Sequence, residues 1–244
     1  AMIMVYPGSP SRYLSSYGIK ERHDAINAPR VQVRGVKQEI MLRHMRADEA
    51  VRIKYDSKYA NSSNYWKNSI GMNKCIDSIG LIQQKQEFEM RLRQWQEETG
   101  YLKGQLDFDK MAELYQKRLA LTRVRTLFTE TFLAQDQLSA RAWKSNWGMK
   151  VEGPEDQPKK QYIQFDDNSE EWDEATDKEM LAALLKNYRT QMTNADYLPA
   201  FYQTIDKKFH GDYTAYVNAL YKKSQLMKNN RRSEERRVGK ECRS

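Results

Sequence analysis

The stretch SSNYWKNSIG, Ser62 to Gly71, decides how this chain is read. It lies inside a block, Val31 to Gly153, that contains no proline, so no missing backbone donor interrupts a helix there. At helical spacing Asn61, Asn64, Asn68 and Gly71 share one small polar face, while Trp66 and Ile70 share another. A helix of this kind is expected to pack its aromatic and aliphatic side on a core and to present its amides to a ligand. The fold class that follows is mainly α.

Helical periods continue outward from that stretch. Cys75, Ile76, Ile79, Ile82, Leu92 and Trp95 form one predicted stripe; Leu114, Leu121, Val124, Phe128 and Phe132 form a second. Gly100 and Gly104 mark the break between them, and Asp107 and Asp109 suit the first turn of the second helix. The pair reads as long antiparallel helices. Heptads are not sustained, so the pattern is not read as a coiled coil. Residues 148–176, GMKVEGPEDQPKKQYIQFDDNSEEWDEAT, hold two prolines, two glycines and an acidic run, and read as a surface loop. Helical pattern resumes at Asp177, with Met180, Leu181, Leu184, Leu185, Tyr188 and Met192 on one side. Two more helices are expected, from about Leu198 to Phe209 and from Asp212 to about Met227, parted by Gly211.

The ends read differently. AMIMVYPGSPSRYL, residues 1–14, is a short apolar strand running into a Pro-Gly turn. A lone strand needs partners and no other convincing strand follows, so its sheet is expected upstream and the chain reads as an excerpt. The last fourteen residues, RRSEERRVGKECRS, show neither apolar periodicity nor turn logic, and read as a non-native, adapter-like or disordered tail. The expected organisation is thus a strand end at 1–14, a helical domain at 15–230 with its loop at 148–176, and a tail at 231–244.

Composition agrees with long, thin helices: 39% of the 244 residues are apolar and 30% charged, and glycine (11) and proline (6) are too scarce for a turn-dense β protein. The formal net charge of +8 includes six basic and three acidic groups in the tail, leaving +5 for the rest. A basic helical protein raises one alternative, a nucleic-acid-binding or scaffold domain with no enzymatic role, in which Arg118, Arg123 and Arg125 would contact phosphates. Those arginines are more simply expected to pair with Glu113, Glu130 and solvent.

Cys75 is expected as a small buried hydrophobe, and Cys242 lies in the tail; two such residues make no disulfide framework. The longest apolar run at the N-terminus, Ala1 to Tyr6, is neither a signal peptide nor a membrane span. His23, His44 and His210 have no ligand partner at metal spacing, and phosphate-loop, HExxH and G-x-S-x-G motifs do not occur. No cofactor, no metal and no catalytic machinery are expected in this chain.

Four segments together resemble the bacterial dipeptidyl-peptidases of serine peptidase family 46, of the dipeptidyl-peptidase 7 and 11 type: VYPGSPSRYL at 5–14, APRVQVRGVKQEIMLRHMRAD at 28–48, KYANSSNYWKNSIGMNK at 58–74 and GLIQQKQEFEMRLRQW at 80–95. The resemblance covers roughly residues 1–230. It implies a parent with a chymotrypsin-like double β-barrel bearing a His-Asp-Ser triad, and a helical domain inserted as a cap over the cleft. Tyr6, Pro7 and Gly8 would close a barrel strand just before that insertion. The resemblance further implies release of dipeptides from peptides with free N-termini, a periplasmic or cell-surface location and a homodimeric parent.

The family's His and Asp precede that turn and its Ser follows the helical domain, so none of the three is expected here. What the resemblance does place in this chain is an asparagine after the K-Y-A motif that binds the substrate's α-amine. After Lys58-Tyr59-Ala60 that residue is Asn64, with Asn61 a weaker register and Asn68 and Trp66 weaker candidates. Tyr59 and Tyr65 could also line the cleft, although packing explains aromatic residues as well. An asparagine suits such a role chemically, because a terminal ammonium donates three hydrogen bonds and the amide carbonyl accepts one without adding a full charge.

Overall fold

Pro29 shapes the beginning of the chain. It cannot donate to the carbonyl four residues back, and just before it the helix changes register: α1, Ser16–Glu21, passes through a π-helical turn, Arg22–Asn27, into α2, Ala28–Ala47. The structure, a computed structural model, describes residues 14–102, 104–134, 149–152, 160–163 and 172–224. The strand and turn expected over residues 1–14 lie outside these apart from Leu14, as does the tail at 231–244.

The described residues are mainly helical, as the sequence leads one to expect. Helix α3, Glu49–Ser78, follows Asp48, whose carboxylate accepts from the Ala50 N–H at 2.7 Å. A turn follows at Gly80, whose φ of 59° is a left-handed conformation that glycine adopts without Cβ strain, and α4, Leu81–Thr99, begins there. Gly100 closes α4 in the same conformation. Helix α5, Phe108–Phe128, is capped by Asp107, which accepts from the Lys110 N–H at 2.8 Å, and runs into a second π-helical turn, Thr129–Leu133. The expectation that no further strand follows residues 1–14 is corrected within the predicted loop, where β1, Met149–Glu152, pairs antiparallel with β2, Lys160–Ile163, with Met149 opposite Ile163. Helix α6, Glu174–Gln191, starts earlier than the apolar period indicates, because the Asp173 carboxylate accepts from both the N–H and the hydroxyl of Thr176. A short 3-10 turn, Ala195–Tyr197, then leads to α7, Phe201–Phe209, and α8, Tyr213–Lys223.

Two stripe readings need correction. Gly80 breaks the first stripe into two helices, so Ile79 and Trp95 are exposed while Ile76 is buried. Cys75, expected inside, is exposed and free, since the buried line of this part of α3 runs through Ser69 and Ile76, seven residues apart on one side of the helix. On α5, Leu114 and Leu121 are exposed as well. Helix α4 buries no residue at all.

The chain divides into two compact units, Ala1–Pro29 with Asn68–Thr126, and Arg30–Lys67 with Leu127–Ser244. The first is held largely by polar ties. The backbone N–H and hydroxyl of Ser16 both donate to Glu89, at 2.7 and 2.6 Å, and buried Glu21 accepts from Thr122 and Arg118, each at 2.8 Å. Tyr17 stacks on Tyr115, beside Gly18, where a Cβ would stand 3.2 Å from the Tyr115 hydroxyl. The second unit has the larger apolar core, with Val33, Met41, Leu127, Leu184, Ile205 and Val217 almost fully buried. Aromatic side chains join its helices: the Phe132 ring lies 5.1 Å from Tyr188 and 5.9 Å from Phe201, and buried Tyr202 donates to the Leu185 carbonyl at 2.7 Å.

Candidate functional site

Small residues decide which way α3 faces. Ser62, Ser63 and Ser69 are buried, so the inner side of the helix is the serine side, and helix neighbours can approach its backbone closely. The opposite side carries the amides: Asn61, Asn64, Asn68 and Gly71 are all exposed, as the helical spacing requires. The apolar face expected from Trp66 and Ile70 is only partly realised. Trp66 is half-buried and Ile70 is 37% exposed, because serines rather than large apolar side chains fill the contact. Tyr59 is half-buried and Tyr65 is 51% exposed. Among the described residues no side chain hydrogen-bonds to the amides of Asn61, Asn64 or Asn68.

The residues flanking Asn64 are tied to α2. The Trp66 indole N–H donates to the Val31 carbonyl at 3.0 Å. The guanidinium carbons of Arg34 and Arg30 lie 4.9 and 5.9 Å from the centre of the Tyr65 ring, within cation–π range. Both arginines are themselves anchored. Arg30 Nε donates to one oxygen of the Glu130 carboxylate and Arg34 Nε to the other, each at 2.8 Å, and Glu130 is buried. A longer contact of 3.5 Å joins Arg34 Nη1 to the Ser62 carbonyl.

Lys37 completes this line on α2, where Arg30, Arg34 and Lys37 stand at i, i+4 and i+7. Its ammonium nitrogen donates to the carbonyls of Glu130, near the start of the second π-helical turn, and of Ala134, just past its end. Burial pushes the Lys37 pKa down to about 7, with Arg34 pushing the same way and Glu130 and Asp177 opposing.

The sequence does not foretell this arrangement; it offers Glu130 as a partner for the arginines of α5. Two of those arginines are engaged elsewhere: Arg118 pairs with Glu21 at 2.8 Å, and Arg123 donates to the Asp24 carbonyl at 3.3 Å. Glu113 pairs with Lys110 and Lys117. The available signal is the cationic spacing along α2. His23, which reads as an ordinary surface histidine, also lies among carboxylates, with Asp24 and Asp77 beside its two ring nitrogens. Among the described residues no group of three His, Cys, Asp or Glu side chains could hold a metal ion, and no helix is long and apolar enough to cross a membrane.

The sequence model of the family described as peptidase S46 matches residues 1–237. The chain belongs to that family. A dipeptidyl-peptidase 7 of Phocaeicola vulgatus is 37% identical over 92% of this chain and 32% of its own length. One of Porphyromonas gingivalis is 36% identical over 92% of this chain and 31% of its own, and that organism's Asp/Glu-specific dipeptidyl-peptidase is 28% identical over 92% and 32%. This S46 chain therefore spans about a third of the length of the relatives it matches. Its fold also matches the crystal structure of Porphyromonas endodontalis DPP11 in complex with the dipeptide Arg-Glu, with a TM-score of 0.69 at 22% identity over 94% of this chain and 33% of that one.

Proposed function

We propose that this S46 chain is the helical cap of a serine-type dipeptidyl-peptidase, in which Asn64 accepts a hydrogen bond from the free α-ammonium of the peptide. The observation that carries this reading is the state of Asn64: an exposed amide without a side-chain partner among the described residues, on a helix whose neighbouring positions are held by α2. An amide in that state can give its oxygen to an ammonium by displacing only water, with no side-chain bond to break. Family membership and the dipeptidyl-peptidase relatives supply the substrate class, a peptide with a free N-terminus. Domain 15–230 is then the cap, the triad belongs to a β-barrel of the same parent, and the parent works as a homodimer in the periplasm or at the cell surface.

The chemistry asked of the cap is orientation. Holding the terminal amine at a fixed depth places the second peptide bond at the nucleophile, which yields dipeptides and lowers the barrier by positioning. In the full-length parent, Asn64→Ala is expected to lower kcat/KM on a dipeptidyl reporter by about 10-fold or more, mainly through KM, as for a lost hydrogen bond to a charged group. The purified chain alone, run beside it, is expected to release no product. Unchanged kinetics in the variant would remove Asn64 from the site, and turnover by the isolated chain would overturn the division of roles.

A further inference from the structure

Asn64 makes no side-chain hydrogen bond among the described residues, so its position is set by its neighbours, and these are held in an ordered way. Three residues within two positions of it are tied to α2: Ser62 through its carbonyl, Tyr65 through its ring and Trp66 through its indole N–H. Two of the three ties run through arginines, and both arginines end on one carboxylate. We infer that buried Glu130 is a positioning residue for the Asn64 segment, acting through Arg30, Arg34 and the Tyr65 ring.

The geometry explains why a carboxylate is needed. Each Glu130 oxygen takes one Nε–H, which anchors two guanidinium groups at once while both of their carbons lie within cation–π range of the Tyr65 ring. Glu130 itself lies in the π-helical turn Thr129–Leu133, where the helical register shifts at the end of α5. With Glu130 absent, Arg34 would remain as a buried cation lacking its carboxylate, and would have to move toward solvent. Tyr65 would then lose the planes that hold it, and the amide one residue away would sample other positions. Such looseness weakens capture of the substrate before it affects the bond-breaking step.

This inference rests on the proposed amine-binding role of Asn64, and one kinetic series in the full-length parent separates the two claims. Glu130→Gln offers one acceptor oxygen and turns an N–H against the other arginine, so one guanidinium is released whichever way the amide sits. Its KM is expected to rise about 10-fold with kcat per folded enzyme nearly unchanged, a cost typical of small misplacements. Added to Asn64→Ala, it is expected to raise KM no further, since both act on one contact. A Glu130→Gln enzyme with wild-type KM and merely less folded protein would overturn the inference. If that variant does not fold, Arg30→Lys carries the test, because lysine keeps a cation near Glu130 and removes one of the two planes at Tyr65. A KM rise in Arg30→Lys supports the inference and an unchanged KM overturns it. An unchanged KM in Asn64→Ala alone would instead overturn the amine-binding reading on which it depends.

Discussion

Each ring nitrogen of His23 faces a carboxylate, Nδ1 with Asp24 at 2.7 Å and Nε2 with Asp77 at 3.2 Å. A neutral imidazole has one N–H, so only the imidazolium donates to both. Burial alone would lower its pKa; the hydrogen bonds to Asp24 and Asp77, aided by their charges, outweigh it and raise the value above 6.5. Since the folded value lies above the unfolded one, the stabilisation is complete below pH 6.5 and is lost as pH rises through the folded value. A proton-NMR titration of His23 is expected to give a midpoint above 6.5, and the urea midpoint of the wild type should fall over that window more than that of His23→Asn. A His23 midpoint at or below 6.5 would rule out this pairing in solution. The sequence does not disclose the cluster, because Asp77 stands 54 residues from His23 and only the packing of the first unit brings them together. The exposed amide face of Asn61, Asn64 and Asn68 is legible because helical spacing alone groups these residues on one side, whereas the choice of Asn64 among them comes from the family resemblance.

At the scale of elements, the helices are readable wherever a single residue type sets a boundary. Gly100 ends α4, Asp107 caps α5, Gly211 parts α7 from α8, and Asp212 caps α8 by accepting from the Ala215 N–H at 2.9 Å. The π-helical turns are not readable. Pro29 signals the first only in retrospect, and nothing local marks the second, whose carbonyls are met by Lys37 from far away in sequence. That lysine gives the second turn a testable dependence. Lys37→Met removes a buried donor from two carbonyls and is expected to cost about 1–3 kcal/mol near neutral pH, read from urea unfolding. The wild type should regain stability relative to this variant between about pH 7 and 10, because the unfolded lysine still binds a proton there while the folded one, with a pKa of about 7, has released it. Parallel pH profiles for the two proteins would show that Lys37 is buried charged.

For the whole molecule, the mainly helical class follows from scarce proline and glycine, and the S46 assignment from the order of four motifs. The two-unit division does not follow, because the long α3 reads as part of one uninterrupted pair, and its buried serines carry no apolar signal. The function proposed for this chain depends on one statement, that a helix of it holds the amine of a peptide which another part of the parent cleaves. A crystal structure of the full-length parent with a bound dipeptide is the decisive measurement. The Asn64 side-chain oxygen is expected about 2.7–3.2 Å from the dipeptide's terminal nitrogen. A dipeptide whose terminal nitrogen is bound wholly by other residues, with Asn64 turned to solvent, would refute it.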